Sequence, residues 1–190
     1  MIYPEDDIIS WSNSESEESV NSEPWPAERE AEYIERLDRC SNFREIFQLV
    51  KQSVKESLKQ ERAGLMLFLA DMTYRVGAYH QVGTNNIVMN RLLLNHVLET
   101  SETMRDANAF IYSILTHEYI HALGYINERE ARELTYQVSK ETFGEEHLAT
   151  RMAATSPWQY IKPIHIESPS VQRPPSVVRD FEPPPFGYIS

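Results

Sequence analysis

"LTHEYIHALGYINEREARELTY", Leu115–Tyr136, sets two histidines and a glutamate inside the most apolar run of the chain. Burying a neutral polar group without a partner costs roughly 2–7 kcal/mol, and burying a charge costs more. His117, Glu118 and His121 therefore need compensation. Upstream, Ala107, Phe110, Ile111 and Ile114 recur at steps of three and four, which defines the inward face of a helix, and the same steps lead on to the three polar residues. The helix is predicted to start at Ser101 or Thr103, either of which can cap it, and to run to Leu123, where Gly124 can end it in a left-handed conformation. After a tight turn at Tyr125 and Ile126, Asn127 and Glu130 spell a capping box that opens a second helix towards Phe143 and Gly144. The stretch thus reads as a helix hairpin.

His117 and His121 stand four residues apart, so their rings lie one turn apart on one face and can reach a single cation. Glu118 is set about 100° round from His117, where its carboxylate can meet a water on the metal rather than the metal itself. This is the helical H-E-x-x-H arrangement. Two imidazoles with one further ligand suit zinc and leave open the position that a catalytic site needs. The third ligand is sought among Glu128, Glu130 and Glu133, just beyond the turn. Glu130 is accounted for by the capping box, and Glu133 projects away from the Ala131, Leu134 and Val138 face and can pair with Arg129. Glu128 comes first, and the other two stay open.

Outward from the hairpin, Ala27 to Lys59 shows helical spacing at Ile34, Leu37, Ile46, Phe47, Val50, Val54 and Leu58, broken near Ser41, with Asn42 and Glu45 as a capping box. "GLMLFLAD", Gly64–Asp71, is a short apolar run of the kind a buried strand makes. "YRVGAYHQVG" and "NNIVMN" flank Thr84 and Asn85 as a hairpin, and Leu92–Leu98 reads as a short helix or connector. The expected fold class is α+β: a small three-stranded sheet packed on helices, with the H-E-x-x-H helix and a following glutamate helix. Residues 1–28 read as an acidic disordered arm, 29–155 as the folded domain, and 156–190, which carries eight of the eleven prolines, as an extended tail.

With 190 residues and 41% hydrophobic content, one domain can enclose a real core. The net charge of −11 is uneven, because Met1 to Glu28 holds eight acids and no base, which leaves −3 for the rest. No basic patch stands out, so nucleic acid is not the expected partner. Cys40 is the single cysteine, which excludes an intramolecular disulfide framework and a multi-thiolate metal site and fits a reducing cytoplasm. The acidic start lacks the pattern of an export signal. Ala109–Ile126 is apolar enough to raise a membrane span, but His117, Glu118 and His121 sit mid-run, so a core helix is expected and no membrane partner.

"HEYIH" resembles the motif of zincin metallopeptidases, and "NEREA", Asn127–Ala131, is similar to the N-E-x-x-small pattern that supplies the third zinc ligand in gluzincins. Together with the preceding helices and short sheet, Phe43–Gly144 resembles the small archaeal minigluzincins. The resemblance implies zinc held by His117, His121 and Glu128, with Glu118 as general base and acid. Two departures stand out: the gap from His121 to Glu128 is shorter than in most gluzincins, and Arg132 stands where an acid often follows the third ligand.

The chemistry implied is peptide hydrolysis, with a peptide or protein as the substrate. Zinc acidifies water and polarises a carbonyl, Glu118 carries the proton to the leaving amine, and a further donor, His147 first, then His80 or Tyr136, meets the oxyanion. "NNIVMN" resembles the edge strand along which zincins pair their substrates. His96 and His165 have no metal-ligand spacing and read as surface or connector residues. "FEPPPFGYIS" can dock extended on a protein partner or across the protein's own cleft. Two other readings compete. "HEYIHALGY" also resembles the H-x-x-x-H-x-x-G-Y-x-H motif of a metal-dependent endoribonuclease family, whose last histidine falls on Asn127. The other is a metal-stabilised binding module without turnover.

Overall fold

The computed structural model describes residues 27–164 and 173–182. Those residues form six helices and a four-stranded sheet: α1 (Ala27–Arg39), α2 (Phe43–Leu58), β1 (Met66–Ala70), β2 (Ala78–His80), β3 (Asn86–Asn90), α3 (Arg91–Thr100), α4 (Met104–Ala122), α5 (Glu128–Phe143), α6 (Leu148–Ala154) and β4 (Ser176–Val177), with a 3-10 turn at Pro157–Tyr160. The predicted N-cap residues are in place, and the reciprocal box is complete at Thr103 with Asp106 but not at Asn42 with Glu45 or Asn127 with Glu130. Asn42 Oδ1 accepts Glu45 N–H, Thr103 and Asp106 cap each other's backbone, and Asn127 Oδ1 accepts Glu130 N–H.

α4 lies at the centre, packed by α1, α2, α5 and α6 and against β2. That explains why its sequence looked like a membrane span: residues on nearly every side of it are buried, from Ala107 and Asn108 through Tyr112 and Leu115 to Ile120 and Ala122. Among the described residues no helix is long and apolar enough to cross a membrane. The C-terminal end of α4 is tied down by Tyr119, whose hydroxyl accepts Arg62 N–H at 2.7 Å, while the Arg62 guanidinium reaches Asn85 Oδ1 in the hairpin turn at 2.7 Å.

The strand order is β2-β3-β1-β4, with β1 parallel to β3 and both outer strands antiparallel to their neighbours. The expected β2–β3 hairpin is present, but residues 85–90 are not the edge. Residues 86–90 form an interior strand whose Ile87 is fully buried, and the edge facing α4 is β2. Three strands had been expected, and the fourth comes from the proline-rich segment. Val178 N–H donates to Leu67 O at 2.8 Å, and Phe181, 2% exposed, stacks on Phe47 with ring centroids 4.1 Å apart. The boundary at residue 155 therefore does not mark the end of the packed chain. This segment lies on the sheet edge opposite β2, while Phe186, Tyr188, Ile189, His165 and residues 1–26 of the arm expected over 1–28 fall outside the described residues; residues 27 and 28 open α1 instead.

Asn90, fully buried at the end of β3, organises the loop between β1 and β2. Its amide donates to Thr73 O and Val76 O at 2.9 and 2.8 Å, its Oδ1 accepts Leu92 N–H at 3.1 Å as the cap of α3, and its own N–H donates to Gly77 O at 2.8 Å. Alanine at this position removes the partners of Val76 O and of the Leu92 N–H at once, while Thr73 O keeps the Val76 N–H. A loss of on the order of 3 kcal/mol is expected in denaturant unfolding of Asn90→Ala. His96, expected as a surface or connector residue, is buried on α3 and holds Lys162 O through Nε2 at 2.9 Å.

Candidate metal centre

The last two turns of α4 and the first turn of α5 bring three side chains together. His117 Nε2 and His121 Nε2 are 3.1 Å apart. Glu128 Oε1 lies 3.4 Å from His117 Nε2, and Glu128 Oε2 lies 3.4 Å from His121 Nε2. These are the residues, among those described, whose donor atoms can hold a metal ion. Of the three glutamates beyond the turn, Glu128 reaches the histidines. Glu133 pairs with Arg129 at 2.9 Å, and Glu130 is exposed, its N–H on the Asn127 cap.

The turn explains how. Gly124 adopts φ +112°, which side-chain-bearing residues rarely accept, and the chain doubles back so that Tyr125 O meets His121 Nδ1 at 2.7 Å. A carbonyl only accepts, so His121 Nδ1 carries the hydrogen and its Nε2 presents a lone pair to the cluster. The same logic applies to His117. Thr135 donates its hydroxyl hydrogen to Ala131 O at 2.7 Å, leaving it an acceptor towards His117 Nδ1 at 3.4 Å. Two imidazole lone pairs and a carboxylate thus converge on one point, which is repulsive until a cation or a proton sits between them.

The spacing suits a metal. A four-coordinate ion with bonds of roughly 2.0–2.2 Å separates its ligand atoms by about 3.3 Å at the tetrahedral angle; here the two Nε2 atoms are 3.1 Å apart and each lies 3.4 Å from a different Glu128 oxygen. Arg132 Nε donates to Glu128 Oε1 at 3.0 Å, fixing the carboxylate from its outer side.

Glu118 is 6% exposed and lines the cleft beside the cluster. Its Oε2 is buried with no hydrogen-bond partner. Burial raises its pKa, against the pull of the His117 and His121 rings and of the His80 backbone N–H. In a comparison with family models, curated proteins and solved structures, nothing matched this chain.

His147 is not part of this cluster. It caps α6, accepting Ala149 N–H at Nδ1, and its ring stacks on Phe143 with centroids 4.6 Å apart at the far end of α5. Tyr136 is also elsewhere, its ring beneath Lys140. Of the three oxyanion candidates, His80 lines the cleft. Its Nδ1 meets Asn86 O at 3.1 Å and burial lowers its pKa, so the neutral ring offers an acceptor at Nε2. Sequence reasoning missed Thr135 and Tyr125. Thr135 stands four residues after Ala131 on the inward face of α5, a signal that was present. The Tyr125 carbonyl had none.

Glu128 raises the His121 pKa, while His117 and then His121 hold the Glu128 carboxyl well below the usual carboxylate range. The His121 contribution to stability is complete below the ordinary imidazole value and fades as pH rises through the raised one. The Glu128 contribution is complete above the ordinary carboxylate value and fades as pH falls through the depressed one. Both are complete between roughly pH 4.5 and 6.5. Glu118, with its raised pKa, adds to the loss at higher pH. Metal-free protein should therefore melt at a lower temperature at pH 9 than at pH 6, and His121→Gln should shrink that difference. Because the His121 proton competes with a cation, metal affinity should fall as pH drops through the raised His121 value, above the ordinary imidazole range.

Proposed function

We propose that the protein is a zinc-dependent peptidase of gluzincin type, with His117, His121 and Glu128 as ligands and Glu118 as the proton carrier. The observation that carries the reading is the convergence of His117 Nε2, His121 Nε2 and the Glu128 carboxylate next to a buried carboxylate oxygen without a partner. Zinc bound there supplies Lewis acidity, making water acidic near neutral pH and polarising a carbonyl. Glu118 lines the cleft with its pKa raised, so it can take a proton from the attacking water and give it to the departing amine nitrogen. Thr135 and Tyr125 O keep the histidine rings turned inward, and Arg132 keeps the Glu128 carboxylate in place.

A peptide laid in the cleft runs beside β2, the sheet edge next to α4, where strand pairing is available. The single cysteine suits a reducing, cytoplasmic setting. The endoribonuclease reading is disfavoured because Asn127, where that motif needs a ligand, spends its side chain capping α5. The test is to offer zinc-loaded protein an unfolded polypeptide and a single-stranded RNA, each with and without chelator. Chelator-sensitive cleavage of the polypeptide supports the reading, cleavage of RNA alone replaces it, and no cleavage of either leaves the binding module.

A further inference from the structure

The β2–β3 hairpin forms one wall of the cleft, with Tyr79, His80 and Val82, and the end of α4 forms another, with His117, Glu118 and His121. The tip of the hairpin stands clear of the body of the protein: Val82 is 73% exposed, and a Cβ built on Gly83 would meet nothing within 4 Å. A projecting tip with so little apolar packing takes its position from the polar ties at its base.

Those ties meet at Arg62, in the loop between α2 and β1. One terminal guanidinium nitrogen donates to Ala122 O, the carbonyl of the last residue of α4, and the other donates to Thr84 O at 3.0 Å and to Asn85 Oδ1 at 2.7 Å. Carbonyls in the last turn of a helix have no partner within it, and a cation there is favoured by the helix dipole. The planar fork thus joins hairpin and helix end in one fixed geometry, which a lysine ammonium does not reproduce. The backbone of Arg62 is held in turn, its N–H donating to the Tyr119 hydroxyl at 2.7 Å and that hydroxyl donating to Arg62 O at 3.1 Å. Deeper in the cleft the His80 backbone N–H reaches the Glu118 carboxylate, so the wall that Arg62 fixes also touches the proton carrier. The three candidate ligands are held by other groups: Tyr125 O at His121, Thr135 at His117 and Arg132 at Glu128.

We propose that Arg62 is a positioning residue, which locks the hairpin at the separation from α4 that lets a peptide paired along β2 reach the metal and Glu118. The proposal rests on the peptidase reading. Without the lock the hairpin splays, and substrate binds the fraction of molecules whose wall is in place, so apparent affinity falls by that fraction while the chemistry of the bound complex is kept. The loss therefore falls on KM rather than on kcat or on zinc binding.

The test has two arms. In the first, hydrolysis of an extended peptide by the zinc-loaded full chain is compared in the parent, Arg62→Ala, Arg62→Lys, Asn85→Ala and Asn85→Asp, with Phe181→Ala as a variant weakened far from the hairpin. Arg62→Ala is expected to raise KM about tenfold while kcat and zinc affinity stay within about threefold of the parent. Arg62→Lys and Asn85→Ala, each keeping part of the tie, raise KM less, and Asn85→Asp lowers it by giving the guanidinium a charged acceptor. Phe181→Ala, assayed below its melting transition, keeps the parent KM. Asn85 is exposed, so its two variants remain folded and carry the test even where Arg62→Ala does not fold. The second arm needs no turnover: exchange of the His80 amide hydrogen, followed by NMR, is expected to be about tenfold faster in Arg62→Ala, with the Leu115 amide in α4 unchanged. A parent-like KM in the Arg62 and Asn85 variants, or a kcat that falls together with zinc content, overturns the lock and leaves the peptidase reading standing. Faster His80 exchange in a chain that cleaves no peptide supports the lock and removes the peptidase. Unchanged His80 exchange overturns the lock.

Discussion

Glu118→Gln is expected to lower peptide hydrolysis by about 10²–10⁴-fold while leaving the metal content and the fold intact. The side chain is 6% exposed, its Oε2 has no partner, and burial raises its pKa. The His80 backbone N–H reaches the carboxylate, yet Oε2 is left without a partner, and an unsatisfied buried oxygen is a cost to the fold. The amide keeps the shape, cannot accept a proton at neutral pH, and removes the need to bury a charge. Activity assay, metal analysis and a thermal melt at pH 8 on the same preparation check this. The expected outcome is near-complete loss of turnover, unchanged metal, and a melting temperature no lower than that of the parent. Loss of metal together with activity would make Glu118 a ligand or a structural acid instead.

Phe181→Ala is expected to destabilise the protein by about 3–5 kcal/mol, the usual range for emptying a buried phenylalanine site. Its ring stacks on Phe47, itself fully buried, and Phe47 meets the edge of Tyr119 at 5.5 Å, so the column reaches α4 one residue from Glu118. Glu182 secures the same end by accepting Leu65 N–H at 2.8 Å and pairing with Lys51. At the other end of the segment Arg173 meets the buried Asp71 carboxylate, which also pairs with Arg91. Urea unfolding of the variant and of a chain ending at residue 172 should show comparable losses. Parent-like stability in both would return this segment to the status of a loose tail.

The contrast between that segment and the site shows what can be read from sequence. Caps are local chemistry. Asn42, Thr103 and Asn127 announce helix starts within three residues of themselves, and the structure places all three as expected. The i,i+4 histidines are equally local, so the cluster was half-built before any tertiary contact was known. Glu128 joins them because Gly124 lets a short turn reverse the chain, which the sequence also marks.

What failed was non-local. His147 follows Gly144 closely in the chain, yet the 16-residue α5 carries it away from the cluster by roughly 1.5 Å per residue. β4 spans two residues and owes its existence to β1, to which residues near 176 are joined by no local pattern. α6 and the turn after it are short, and their shape comes from packing on α4 and α5 rather than from periodicity. Asn-rich residues 85–90 looked like an exposed edge because asparagine is polar, but Asn90 spends its amide on internal loop carbonyls.

Everything functional depends on a cation being the natural occupant of the point where His117, His121 and Glu128 meet. The direct measurement is elemental analysis by plasma mass spectrometry of the full chain, incubated with zinc and freed of excess by gel filtration, beside His117→Ala treated identically. About one zinc per chain in the parent and almost none in the variant is the predicted result. Zinc absent from the parent, or retained equally by both proteins, would contradict the account.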